Sequence, residues 1–137
     1  MEIRTADQYS KSFKITAKMI DGFAEHTGDR NPVHLDEDFA KNTKFKKRIA
    51  HGFLVGSLIS SVLGNDYPGN GTIYLSQSMK FLKPVFIGDE ITVFITIEEI
   101  TEKNWLELKT VCKNQDGDNV IEGDALVIPP DTCVLIK

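Results

Sequence analysis

Residues 51–63, His-Gly-Phe-Leu-Val-Gly-Ser-Leu-Ile-Ser-Ser-Val-Leu, contain the longest apolar stretch of the chain. The apolar residues fall on nearly every side of a helical wheel, and Gly64 and Asn65 form a typical helix end. A helix that is apolar on nearly all sides is a buried one, so we predict a central helix of about 20 Å. Five small residues would let a sheet or a ligand approach it closely. They are Gly52, Gly56, Ser57, Ser60 and Ser61.

The second half of the chain predicts the element that encloses this helix. Ile91, Val93, Ile95 and Ile97 alternate with mostly polar residues, which is the period of a half-buried strand. Similar runs occupy residues 72–83, 105–112 and 120–128, with a hairpin signal at 116–119 and a first strand at 9–15. The sequence therefore predicts an α+β fold in which a long antiparallel meander curls around one central helix.

Two shorter helical segments are predicted before the central helix. Residues 17–26 have apolar residues at helical spacing, with Thr16 as a plausible N-cap and Gly28 as a stop. Asp36 could cap one or two further turns. A basic loop, residues 44–48, follows.

Composition restricts the possible classes of protein. The 137 residues carry a net charge of −4 and are 41% hydrophobic, which suits one soluble domain over residues 1–137. Mild acidity argues against nucleic acid or a membrane as the partner. Without the apolar core of a signal peptide the chain is expected in the cytoplasm, and Cys112 and Cys133 lack any metal-binding pattern.

The densest cluster of reactive groups is the segment Gly-Asp-Arg-Asn-Pro-Val-His-Leu-Asp, residues 28–36. Pro32 forces Asn31 out of the helical region and so makes a turn rather than a continuing helix. Asp29 and His34 therefore sit on one bend. A carboxylate and an imidazole held there could both contact one water and exchange protons with it.

Other interpretations of these residues remain open at this stage. Asp29 and Asn31 could make only local turn hydrogen bonds, with His34 packed or facing solvent. A calcium loop is excluded because its sixth position, where glycine is required, is His34. A metal site from His34, Asp36 and His51 has suitable residue types but no recognisable spacing.

Gly52 marks the predicted start of the central helix. Free backbone N–H groups at a helix N-terminus can bind a carbonyl oxygen, and a glycine allows close approach. Such donors would stabilise the enolate formed when water adds to an α,β-unsaturated thioester. The alternative is an ordinary first-turn glycine, with His51 as a capping or surface residue.

Three segments resemble one known family. Residues 23–36, Phe-Ala-Glu-His-Thr-Gly-Asp-Arg-Asn-Pro-Val-His-Leu-Asp, are similar to the hydratase-2 motif of the MaoC-like (R)-specific enoyl-CoA hydratases. Residues 48–54, Arg-Ile-Ala-His-Gly-Phe-Leu, resemble that family's entrance to the central helix. Residues 73–85, followed by Gly88 and Asp89, are the third match, and the three lie in the family's order.

The resemblance implies a hot-dog fold, a long central helix wrapped by a curved antiparallel sheet, in a homodimer or a dimer of dimers. Asp29 and His34 would be the catalytic pair and Gly52 the oxyanion donor, while Asn31 would shape the turn. The acyl pocket would involve the central helix. Its candidate lining residues are Phe53, Ser60 and Leu63.

The implied reaction is reversible syn hydration of a trans-2-enoyl-CoA to the (R)-3-hydroxyacyl-CoA, without cofactor or metal. The alternatives are a dehydratase acting on 3-hydroxyacyl groups of a carrier protein, a thioesterase, and a non-catalytic acyl-CoA-binding module. A mildly acidic protein that binds CoA needs local positive charge at its entrance. The basic loop 44–48, Lys80 and Lys83 are the candidates.

Overall fold

The computed structural model describes residues 1–137 and contains eight strands and four helices. The strands are β1 (Glu2–Arg4), β2 (Gln8–Lys14), β3 (Ile73–Gln77), β4 (Lys80–Phe81), β5 (Glu90–Ile100), β6 (Leu106–Lys113), β7 (Asn119–Ile128) and β8 (Val134–Ile136). The helices are α1 (Ala17–Thr27), α2 (Pro32–Leu35), α3 (Glu37–Lys41) and α4 (Gly52–Asn65).

Six strands form an antiparallel sheet in the order β2-β5-β6-β7-β3, and β4 also pairs with β7. The predicted meander is present for β5, β6 and β7. It is wrong for β3, which pairs with β7 rather than with β5, because β2 occupies the other side of β5. Alternation identifies strands but not their neighbours. The short parallel pair of β1 and β8 was not predicted.

The helix ends follow local capping chemistry. Thr16 caps α1 by accepting the N–H of Met19 at 3.1 Å, and Gly28 ends it with a φ of 79°. Asp36 caps α3 as predicted. The turn predicted at Pro32 is instead a short helix, because Asn31 caps it and proline is favoured in the first helical turn.

Helix α4 packs one face on the sheet. Ile59 and Val62 are fully buried, as are Ile91, Val93 and Ile95 on β5. The other face is open, because Phe53 is 67% exposed and Ser57 and Ser60 are exposed as well. The prediction of an enclosed helix is therefore wrong for this face within one chain.

No helix of this chain has both the length and the apolar character needed to cross a membrane.

Candidate active site

A cavity of about 580 Å³ lies at the start of α4. It brings together Asp29 and His34, from the bend after α1, with His51 and Gly52 at the entrance to α4. The far wall comes from the segment after β4 and from the start of β7. Two segments that are separate in sequence thus meet at one site.

His34 is held by a backbone hydrogen bond. Its Nδ1 lies 2.8 Å from the carbonyl oxygen of Ile49, so Nδ1 carries the proton and Nε2 is available as an acceptor. The side chain is buried, and burial lowers its pKa. The hydrogen bond to Ile49 raises the pKa of His34 in part. The charge of His51 lowers this pKa further, and the charge of Asp29 raises it. The arrangement favours a neutral imidazole.

Arg48 fixes the backbone around His34. Its Nε donates to the His34 carbonyl oxygen at 2.6 Å, and its guanidinium pairs with Asp21 on α1 at 3.0 Å. Because Arg48 is committed to these contacts, it does not serve the entrance to the cavity as predicted for the whole loop 44–48. A charged hydrogen bond of this kind contributes about 1.5–3 kcal/mol.

Asp29 is exposed at the edge of the cavity. Its backbone N–H donates to Oγ1 of Thr27 at 3.2 Å, and its carboxylate accepts only a long bond of 3.4 Å from the N–H of Asn31. The carboxylate therefore retains free lone pairs. Asn31 shapes the turn by accepting the N–H of Val33 at 3.3 Å, but it does not line the cavity.

His51 is neither a capping nor a surface residue, contrary to both options that the sequence left open. It makes no side-chain cap for α4 and is 2% exposed. Its Nε2 donates to the Asp29 carbonyl oxygen at 3.0 Å, and its ring stacks on His34 with centroids 4.0 Å apart. Phe23 covers it on another side at 4.7 Å. Its Nδ1 is buried without a hydrogen-bond partner.

These groups have both the residue types and the spacing of a possible metal site. Ligand atoms of Asp29, His34 and His51 lie within 4.8 Å of one another, whereas Asp36 is engaged in capping α3. The two imidazoles stack with planes 28° apart, and each donates one N–H to a backbone carbonyl. These two bonds leave Nε2 of His34 and Nδ1 of His51 as the remaining ring nitrogens, and Nδ1 of His51 is buried. A water beside Nε2 of His34 and the Asp29 carboxylate could exchange protons with both.

Gly52 is the first residue of α4, so its N–H has no intrahelical acceptor. A Cβ at this position would lie 2.7 Å from the ring of Phe81, so a larger residue would displace that ring. Gly52 lines the same cavity as Asp29 and His34. Phe81 was not predicted as a site residue, since its strand offers no signal beyond alternation.

Some of the other predicted substrate-binding residues line a cavity and others do not. Phe53 lines this cavity and a second one of about 390 Å³, which Ser60 also lines. Leu63 is 1% exposed and lines neither, because it faces the core. Among the basic residues, Lys44 and Lys83 line the first cavity and Lys80 does not.

Known proteins resemble this chain in sequence and in fold. A model of the MaoC like domain matches residues 2–119. A 3-hydroxybutyryl-CoA dehydratase of Methylorubrum extorquens is 46% identical over 118 residues, which is 85% of this chain and 74% of the relative. An (R)-specific enoyl-CoA hydratase of Rhodospirillum rubrum is 42% identical over 130 residues, which is 94% of this chain and 90% of the relative.

The unliganded R-hydratase PhaJ1 from Pseudomonas aeruginosa superimposes with a TM-score of 0.90. It is 40% identical, over 93% of this chain and 83% of that one. The architecture is the hot-dog fold that the sequence predicted, with α4 as its central helix.

Proposed function

The chain belongs to the MaoC-like domain family, and on that basis we propose that it is a hydro-lyase, an (R)-specific enoyl-CoA hydratase. It adds water reversibly across a trans-2-enoyl-CoA to give the (R)-3-hydroxyacyl-CoA. The observation that carries the proposal is that Asp29, His34 and Gly52, the first residue of α4, line one cavity. The relatives named above carry hydratase and dehydratase names, which are the two directions of this reaction.

Asp29 and His34 hold the attacking water. The neutral His34 offers Nε2 as an acceptor because Nδ1–H is bound to Ile49, and the Asp29 carboxylate is an acceptor as well. One water can donate a proton to each, which directs an oxygen lone pair at C3 of the substrate. General-base help of this kind contributes about 10²–10⁴-fold in rate.

Gly52 polarises the thioester. Its N–H donates to the carbonyl oxygen, which draws electrons from the C2–C3 double bond and makes C3 electrophilic. The water oxygen bonds to C3, the double-bond electrons move into the enolate, and one water proton passes to the Asp29–His34 pair. The same pair returns that proton to C2 on the same face, so the net change is syn addition of one water.

The charge at the cavity entrance suits a CoA thioester. Lys44 and Lys83 line the cavity, and Lys83 also forms an exposed ion pair with Asp118 at 3.1 Å. The phosphates of CoA are the negatively charged part of the substrate, and they could compete with Asp118 for Lys83. A carrier-protein thioester presents a different surface at the same entrance. The runner-up activity is therefore dehydration of a carrier-bound 3-hydroxyacyl group, and turnover on the two thioesters separates the two activities.

A homodimer, alone or paired with a second dimer, belongs to the same proposal. Strand β3 pairs on one side only and exposes Ile73 and Leu75, which are 54% and 42% accessible. Phe53 and Phe81 beside it are 67% and 51% exposed. Apolar edges of this kind are normally covered, and joining two β3 edges would cover this one. Light scattering of wild type and Ile73→Lys tests this, with a monomeric variant expected.

A cytoplasmic location completes the proposal. Cys112 and Cys133 are both free thiols, which suits a reducing compartment.

The direct test is hydration of crotonyl-CoA, followed by loss of the enone absorbance and chiral analysis of the product. We expect turnover to the (R)-3-hydroxybutyryl thioester without added metal or cofactor. An (S)-product would contradict the proposed water position. Release of free thiol in place of hydration would identify a thioesterase, and the absence of turnover on CoA and carrier thioesters alike would leave a binding module.

A further inference from the structure

One face of α4 carries a row of small residues that another segment covers. Gly52, Gly56 and Ser60 are spaced four apart and so share this face. Met79 and Phe81 lie against it from the other side. A Cβ at Gly56 would lie 2.5 Å from Sδ of Met79 and 3.1 Å from its Cε. The Met79 side chain therefore rests directly on the helix backbone at Gly56.

Two cavities adjoin on this side of α4. The first contains the catalytic groups and reaches Gly52 and Val55 on α4. The second is lined by Gly56 and Ser60 on α4 and by Met79 opposite them. Phe53 lines both, so the two cavities adjoin at Phe53, and the contact of Met79 with Gly56 lies in the wall of the second cavity, about one helical turn beyond Gly52.

The distance from Gly52 to the contact of Met79 with Gly56 is similar to the length of a short acyl chain. Gly56 lies one helical turn from Gly52, about 6 Å along the axis, which is roughly the length of a four- or five-carbon chain. If the thioester carbonyl oxygen binds the Gly52 N–H, an acyl chain that runs along the helix would reach Met79 about 6 Å from Gly52. A longer tail needs the space that the thioether occupies.

We propose that Met79 is the specificity-determining residue for acyl length, because it narrows the second cavity against Gly56 where that cavity adjoins the catalytic one. Short 2-enoyl-CoA substrates fit on the catalytic side, and longer ones enter the second cavity only when Met79 moves. Methionine suits this role because its unbranched side chain is flexible and fills irregular gaps. Because β3 lines the second cavity, joining two β3 edges would also enclose it. This inference rests on the proposed hydratase activity.

The test compares kcat/KM for trans-2-octenoyl-CoA with that for crotonyl-CoA in one enzyme preparation. We expect Met79→Ala to raise this ratio at least about 10-fold, since the fit of a single methylene is worth about 10–200-fold. Met79→Val should raise it less. Adding Gly56→Ala to Met79→Ala restores bulk at the contact and should lower the ratio again.

Met19→Ala is the matched control. Met19 is also a methionine that packs partly buried on the core, but it lies on α1 and lines neither cavity. Its ratio should equal that of wild type. A ratio within twofold of wild type in both Met79 variants would overturn the role of Met79 while leaving the hydratase proposal intact. Failure of wild type to hydrate crotonyl-CoA would instead overturn the hydratase proposal itself.

Discussion

The imidazole of His51 stacks on that of His34 with ring centroids 4.0 Å apart, and its Nε2 donates to the backbone oxygen of Asp29. One buried side chain thus contacts the ring of His34 and the backbone of Asp29, the two residues that are proposed to hold the water. Since small displacements of reacting groups are costly in rate, His51 is well placed to act as a positioning residue.

Replacing His51 by phenylalanine keeps an aromatic ring against His34 but removes the donor to Asp29. We expect kcat for crotonyl-CoA to fall about 10-fold or more with a much smaller change in KM, because the water rather than the thioester loses its position. His26→Phe, an exposed change on α1, is the control. Equal losses in both variants, or a change confined to KM, would argue against positioning.

The pH dependence follows from the state of His34. Burial lowers its pKa below the ordinary value of 6.5, and the proposed role needs the neutral ring. As pH falls, kcat/KM should therefore hold through pH 6.5 and decline only below it. A kcat/KM profile and an NMR titration of the His34 ring measure this. An acidic limb at or above pH 6.5 would contradict the role of a neutral His34.

The entrance lysines predict a dependence on the CoA phosphates. Lys44→Glu and Lys83→Glu should each raise KM for crotonyl-CoA about 5–10-fold and leave KM for the crotonyl thioester of pantetheine, which lacks the nucleotide, nearly unchanged. Lys80→Glu, outside the cavity, is the matched control. Similar effects on both thioesters would place these lysines outside CoA recognition.

Alanine substitutions at two glycines should change the free energy of unfolding in opposite directions. A Cβ at Gly123 on β7 would clash with the carbonyl oxygen of Ser78, so Gly123→Ala should lower the free energy of unfolding by about 3 kcal/mol or more. Gly22 lies inside α1 with open space around it, so Gly22→Ala should raise it by about 0.5–1 kcal/mol. Urea unfolding measures both. A mild effect at Gly123 would mean that the segment around Ser78 yields.

Local chemistry made much of this fold predictable. Thr16, Gly28 and Asp36 mark helix ends through contacts within a few residues, and the alternation along β5 specifies which side chains are buried. The pairing of β3 with β7 depends on contacts between distant segments, which period alone does not encode. The same limit applies to the short parallel pair of β1 and β8.

The candidate site also combines features set by local sequence with features that depend on contacts between distant segments. The closeness of Asp29 and His34 was predicted because they are five residues apart in one segment, although His34 lies on helix α2 and not on the predicted turn. Gly52 was predicted because a helix start is visible in sequence. The burial of His51 and the contact of Phe81 with Gly52 arise only when the two segments meet. Leu63 was placed in the pocket because helical spacing alone does not show which face of a buried helix is open.

The central claim is that the Asp29 carboxylate acts on the water, and the most direct test is crotonyl-CoA hydration by Asp29→Asn. We expect kcat to fall at least about 10²-fold with the fold retained and with any residual product still (R). Asp116→Asn, the same substitution at an exposed position on the β6–β7 turn, should keep the wild-type rate. An Asp29→Asn variant of undiminished rate would contradict the mechanism.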